Sequence, residues 1–394
     1  MSFKKVLTIL LAFAIAFGLA AATNTKSSYA ADPITIGVYL PMTGSGAEIG
    51  AQIEKTINIA LDRANAEGGV NGRDLKIIIY DTATSTEGAQ KAAQRLVDQD
   101  EVLAILGDYQ SGNNKAVAEY VESNKVLHVG LGTATTWPTD DQKYSFRGAA
   151  LASGPINGFC DAIKQFGCQK IAILLTDTDY GKDAKKTIDA SVANTGAKVV
   201  FEEFYQGNTT DFVAIIAKAL NANPDGIVIY PQGTEPPQLV KQIRQQGYTG
   251  PIFTSEVGSN AEIIRVGGDD ANGIAFSSAF LVATTVEDSI NEPQKEFLTA
   301  YFEKYGELPT KESAYRAYDS FNLIVEALRT AENPDNGESI RDAFVKIDDF
   351  EGIAGTYNYT AADGEGLSAT RPFMILDQKV QNFDIDTFKA FFEK

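Results

Sequence analysis

Short apolar runs alternate with amphipathic stretches along most of the chain, and the alternation occurs twice. Residues 34–40 are a compact apolar run. Residues 49–65 then place Ile53, Ile57, Ala60 and Leu61 at helical spacing, and Gly68-Gly69 stops them. Runs at 75–80, 102–106 and 126–130 follow, separated by helical stretches at 89–98 and 115–123. After residue 153 the pattern restarts. Helical stretches at 154–165, 182–194, 212–220 and 237–246 interleave with runs at 170–175, 198–204, 226–230 and 251–253. An apolar run that returns through a helix to the next apolar run is how a parallel strand with its crossover helix reads in sequence. The expected fold class is therefore α/β, with two Rossmann-like lobes built on parallel-rich central sheets. A last block adds helices at 293–305, 313–330 and 339–347, and strands at 373–376 and 380–383. No low-complexity linker separates the blocks, so the lobes are expected to be closely joined.

A chain of 394 residues suits two domains better than one. Its first 30 residues read as an export signal rather than as fold. Lys4 and Lys5 precede an apolar run at 6–22, and Ser28-Tyr29-Ala30 sets small residues three and one positions before a cut after Ala30. The alternative is a retained membrane anchor, but the run is near the lower length limit for a span and a cleavage site follows it. The rest of the chain is expected to be soluble outside the cytoplasm.

Net charge is −18, from 34 basic and 52 acidic residues. A polyanion would be repelled, so nucleic acid is excluded as a partner. The two cysteines, Cys160 and Cys168, are close enough in sequence for a disulfide in an oxidising compartment. Two buried free thiols are the alternative. Two thiols and one distant His128 make no metal site.

Motifs for catalysis are missing. No G-x-S-x-G elbow, phosphate loop or H-E-x-x-H pair is present, and the only histidine, His128, sits in an apolar run where packing is its expected role. Residues 43–46 lack the third glycine of a dinucleotide fingerprint. The informative positions follow the C-terminal ends of the expected strands, at 41–46, 107–113, 130–137, 177–181 and 230–235. There hydroxyls, glycines and aromatics gather where an open α/β sheet places its ligands. Ordinary turn chemistry uses the same residue types.

Several segments resemble the periplasmic binding proteins of branched-chain amino acid transporters. The opening strand and turn, residues 34–44, look like that family's, and Asn65-Ala66-Glu67-Gly68-Gly69-Val70-Asn71-Gly72 is the most recognisable piece. Tyr80-Asp81-Thr82, Phe146-Arg147, Asp179-Tyr180-Gly181, Gln246-Gly247-Tyr248 and residues 352–357 continue the match in order. The resemblance implies a type I periplasmic binding fold with a three-crossing hinge. One lobe would hold residues 32–148 plus 276–355, and the other 149–275 plus 356–394.

It also implies roles. Ser111 matches a serine that grips a ligand carboxylate, and the loop Gly132-Thr133-Ala134-Thr135 matches a segment that supplies amides and a hydroxyl. Ala134 stands where the family often has threonine, so Thr133 or Thr135 is expected to replace that hydroxyl. Tyr180 matches a tyrosine that closes from the second lobe, and Glu256 the carboxylate that receives an α-ammonium group. Tyr109 and Trp137 would shape the side-chain pocket, unless Trp137 packs under its loop instead. Two departures stand out. Gly233 replaces an aromatic residue, and Asp108 can bind a cation, cap a turn or repel a carboxylate.

The expectation is a periplasmic, monomeric receptor that captures an amino acid, branched-chain or related, in a cleft between the lobes, with no catalytic activity and no cofactor or metal. It would deliver its ligand to the membrane permease of an ABC transporter. A receptor for a neutral amide, urea or small aromatic acid is the alternative, as is a sensory module.

Overall fold

Successive side chains of a strand point to opposite faces, and here both faces are apolar. The computed structural model describes residues 32–360 and 365–393 and begins with β1 (Ile34–Leu40). Ile36, Val38 and Leu40 join one core with α1 (Ala47–Ala66), whose Ile49, Ile53, Ile57, Ala60 and Ala64 form a single stripe. Tyr39 turns the other way, into a smaller core with α2 (Thr86–Asp98). Helices therefore cover both faces, as a parallel sheet requires. β2 (Leu75–Asp81), β3 (Ala104–Gly107), α3 (Ser111–Asn124), β4 (Leu127–Gly130) and β5 (Ser145–Arg147) complete the first lobe's sheet. Its order is β2-β1-β3-β4-β5 and every pairing is parallel.

The second lobe repeats the plan. α4 (Ser153–Phe166) leads into β6 (Lys170–Thr176), α5 (Asp179–Ala193), β7 (Lys198–Tyr205), α6 (Val213–Asn221), β8 (Gly226–Tyr230), α7 (Pro236–Gln245) and β9 (Ile252–Thr254). A short α8 (Ala261–Gly267) precedes β10 (Ile274–Ser278). Ile171, Ile173 and Leu175 of β6 pack on the α4–α5 side, and Ala172 and Leu174 pack on the α6–α7 side. Apart from a small two-stranded sheet of β11 (Phe350–Glu351) and β12 (Thr356–Tyr357), two last strands, β13 (Arg371–Leu376) and β14 (Lys379–Asn382), join this sheet, whose order is β14-β13-β10-β9-β8-β6-β7. Pairings from β7 to β10 are parallel, and β13 and β14 add an antiparallel edge.

Counted from its own first strand, each lobe has the same winding. The second strand lies on one side of the first, and the third, fourth and fifth lie on the other. The order reverses beside β1 in one lobe and beside β6 in the other, which opens a crevice at the carboxyl ends of those strands.

α9 (Glu292–Tyr305), α10 (Glu312–Thr330) and α11 (Gly337–Phe344) cover the first lobe. The crossings differ in detail from the expectation. The return to the first lobe follows Ser278 rather than preceding Phe276, because β10 stays paired with β13 as far as Ser278. The last departure follows Leu367 rather than Gly355. Tyr357 and Tyr359 remain in the first core, where Tyr357 donates to Asp319 Oδ2 at 3.0 Å and Tyr359 to the Arg147 carbonyl at 2.7 Å. A terminal α12 (Ile385–Phe392), absent from the sequence reading, packs Phe388 and Phe392 edge-on against Phe166.

The expected disulfide does not form: Cys160 and Cys168 are free and buried. Cys160 is on the buried face of α4, in the apolar core. Cys168 follows the left-handed cap Gly167, and its Sγ lies 3.8 Å from the Asp225 carbonyl. The export signal expected at residues 1–30 lies outside the described residues. Among the described residues, no helix is long and apolar enough to cross a membrane, and no group of histidine, cysteine and acidic side chains can hold a metal ion.

Candidate functional site

The loops that follow β3 and β4 in one lobe meet those that follow β6, β8 and β9 in the other. They enclose a cavity lined by Tyr109 and Thr133 on the first side and by Tyr180, Gln232, Gly233 and Glu256 on the second. The start of α10 contributes Lys311, Glu312 and Arg316.

Local structure explains how each group reaches this place. Ser111 opens α3, at the positive end of that helix. The preceding Asp108 is fully buried and serves the turn. It accepts from the Gln110 amide at 3.0 Å, Asn113 Nδ2 at 2.7 Å and Thr82 Oγ1 at 3.0 Å, while burial pushes its carboxyl up to about 6. Capping is thus the role it takes among those open to it. Tyr180 lies in the first turn of α5, whose N-cap Thr178 accepts from the Gly181 amide. Gly181 must be glycine, because a Cβ there would lie 2.0 Å from the Thr176 carbonyl oxygen.

Glu256 is the meeting point of the two lobes. Its Oε1 accepts from Tyr180 Oη at 3.0 Å and, across the cleft, from Thr133 Oγ1 at 3.2 Å. Its Oε2 is buried with no hydrogen-bond partner among the described residues. Burial and the neighbouring Glu256 charge push the Tyr180 hydroxyl well above the ordinary tyrosine range, so it remains a neutral donor. Ser255 Oγ also lies 3.0 Å from that hydroxyl, and Tyr230 stacks beneath its ring at 4.5 Å.

Ser111, Thr133 and Ala134 also come together. Ser111 Oγ accepts from the amides of Thr133 and Ala134, each at 3.2 Å. A carboxylate presented here can take those two donors in place of the hydroxyl, which frees Ser111 to donate as well. Thr135 faces elsewhere. Its amide and hydroxyl donate to Asp183 on α5 at 2.5 and 2.8 Å, so it joins the lobes without lining the cavity. Trp137 does not roof the cavity either. It is fully buried beneath the loop, stacked on His128 at 5.6 Å, with the Arg147 guanidinium 5.2 Å from its ring. Tyr109 lines the cavity with its hydroxyl close to Gly233.

His128 is held by Tyr39 Oη at 2.8 Å and Ser145 Oγ at 3.0 Å, and burial depresses its ring to about 3. At neutral pH it is an uncharged packing residue.

The start of α10 was missed in the sequence. Glu312 and Arg316 are four residues apart and read as a surface ion pair, yet each is only 6% exposed. Arg316 donates to Glu312 Oε1 and to the Leu131 carbonyl. Burial lifts the Glu312 carboxyl to about 7. Arg316 opposes that rise and the Glu256 charge adds to it. Lys311 pairs with Glu48 at 3.3 Å. No signal in the sequence distinguishes this buried pair from an exposed one. The arrangement supplies donors for an anion, an acceptor for a cation and two lobes to enclose both.

A family model described as periplasmic binding protein matches residues 33–379. The leucine-, isoleucine-, valine-, threonine- and alanine-binding protein of Pseudomonas aeruginosa is 26% identical over 344 residues, covering 86% of this chain and 89% of that one. The substrate binding protein LivJ of the branched-chain amino acid transporter of Streptococcus pneumoniae, solved with isoleucine, aligns with a TM-score of 0.78 at 29% identity. That alignment covers 89% of this chain and 98% of that one. A solute binding protein of an ABC transporter from Rhodopseudomonas palustris, solved with 3,4-dihydroxybenzoic acid, has a TM-score of 0.78 at 22% identity over 89% of this chain and 95% of that one. This last likeness is one of fold.

Proposed function

The chain belongs to the periplasmic binding protein family, whose members bind small solutes for ABC transporters and perform no chemistry on them, and from that premise we propose that its ligand is an amino acid. Glu256 carries the proposal. A buried carboxylate oxygen without a donor is costly unless a ligand supplies one, and Glu256 Oε2 is such an oxygen. An α-ammonium group fits it by charge and by hydrogen bonding. The ligand carboxylate would take the amides of Thr133 and Ala134, with Ser111 donating beside them.

Both α-groups would then lie between the lobes, so the ligand would bind the closed arrangement more tightly than the open one. Differential affinity of that kind drives hinge closure. The closed form would dock on the cognate membrane permease as a monomer. The leader read at residues 1–30 would place the protein in the periplasm. The amino-acid ligands of the Pseudomonas and Streptococcus relatives support this reading.

A second reading, a small carboxylic acid, has one observation in its favour: Arg316 Nε is buried with no hydrogen-bond partner among the described residues. Glu256 and Glu312 line the same cavity and oppose it.

A thermal-shift panel of the amino acids, each beside its deaminated acid and its decarboxylated amine, tests the proposal. Stabilisation by an amino acid, and by neither analogue, is the expected result. Stabilisation by the deaminated acid alone would favour the second reading.

A further inference from the structure

One wall of the cavity has chemistry that α-groups do not use. At Gly233 (φ 93°), which lines the cavity, a Cβ would lie 3.0 Å from Glu235 Oε2 and 3.7 Å from the Tyr109 hydroxyl. Any side chain at position 233 would press on the Glu235 carboxylate and approach the Tyr109 hydroxyl. Glu235 is only 5% exposed. Its Oε1 accepts from the Asn208 amide at 3.1 Å, and its Oε2 has no hydrogen-bond partner among the described residues.

The cations around the cavity are engaged elsewhere. Arg316 holds Glu312 and the Leu131 carbonyl, and Lys311 pairs with Glu48. The α-ammonium group falls to Glu256. Glu235 is left as a second buried acid, its Oε2 packed against Gly233 just behind the residues that line the cavity. An aliphatic or aromatic ligand side chain against Gly233 would leave Oε2 both desolvated and without a donor.

We infer that the ligand supplies the missing partner: it is a basic amino acid whose side-chain ammonium or guanidinium group passes Gly233 to pair with Glu235, beside the Tyr109 hydroxyl. This inference rests on the amino-acid reading above. It explains why glycine is useful at position 233, since a larger residue would cover the carboxylate. Burial raises the Glu235 carboxyl from its ordinary range, and an incoming cation would oppose that rise. The charged pair is then bound in a water-poor site, where each partner satisfies the other.

Titration calorimetry with two matched pairs tests the inference: lysine with norleucine, and arginine with citrulline. The probe protein is the exported full chain, unfolded and refolded to strip co-purified solute. In at least one pair the charged member should bind more than about tenfold more tightly. Glu235→Gln should bring that ratio close to one, with its fold checked by circular dichroism.

If norleucine or leucine binds as tightly as lysine, and citrulline as tightly as arginine, the inference fails while the amino-acid reading stands. If the charge preference survives Glu235→Gln, the assignment to Glu235 fails. If no amino acid binds, the amino-acid reading fails and the inference with it. Should Glu235→Gln not fold, the matched-pair ratio in the unsubstituted protein still decides whether the ligand is basic.

Discussion

Thr135 donates both its amide and its hydroxyl to Asp183, at 2.5 and 2.8 Å, so a loop of the first lobe is tied to α5 of the second. The tie lies outside the ligand-lining surface. It stabilises the closed arrangement without touching a bound solute. Asp183→Ala removes both bonds. Hydrogen bonds to a charged group contribute about 1.5–3 kcal/mol each, and water recovers part of that in the open form, so ligand affinity should fall by at least about tenfold by calorimetry. Solution scattering should also show a more open unliganded molecule. Unchanged affinity and scattering would show that the tie has no part in closure.

Unliganded stability should fall as pH rises from 5 to 8. Burial lifts Asp319 to about 7, Glu312 to about 7 and Asp108 to about 6. A carboxyl raised in the folded state contributes stability that is fully present below its unfolded value. That contribution is lost as pH rises through the folded value. His128, depressed to about 3, works in the opposite sense. Its contribution is present above about 6.5 and fades as pH falls below it, which offsets the acids only in part. Carboxyls held low, such as Asp81, titrate below this window. Denaturant unfolding should give a free energy lower at pH 8 than at pH 5 by on the order of a few kcal/mol. The opposite order would contradict the burial of these acids.

Cys160 and Cys168 should be unreactive in the native protein. Both are buried, and burial pushes each thiol up to about 12, far from the thiolate form that reacts. A chromogenic disulfide reagent should label neither thiol under native conditions and both in concentrated guanidinium. Absence of labelling after unfolding would show that the two are bridged after all.

Much of the fold could be read because β1, β6 and β8 are buried on both faces and therefore appear as uninterrupted apolar runs. Helix starts were harder to read. α2 and α5 begin with polar residues capped by Ser85 and Thr178, whose side chains accept from Gly88 and Gly181, and such residues look like loop. β5 and β10 were missed because short strands carry little periodicity.

At the site, Tyr109, Thr133, Tyr180 and Glu256 converge from four loops; the first three lay in segments that follow expected strands, whereas Glu256 was named only by the family resemblance. Trp137 could not be placed by its position after a strand. Its partners His128 and Arg147 are set by packing rather than by spacing. Glu312 and Arg316 were invisible for the same reason, since their burial depends on α10 starting at the cleft.

The central claim is that a buried carboxylate between two lobes holds an amino acid's ammonium group. Calorimetric titration of the ligand-stripped protein and of Glu256→Gln, with the amino acid that stabilises the protein most, tests it directly. The expected result is saturable binding to the unsubstituted protein. A loss of about a hundredfold or more is expected in the variant, as for breaking a buried charge pair. Equal affinity in the two proteins would contradict the claim.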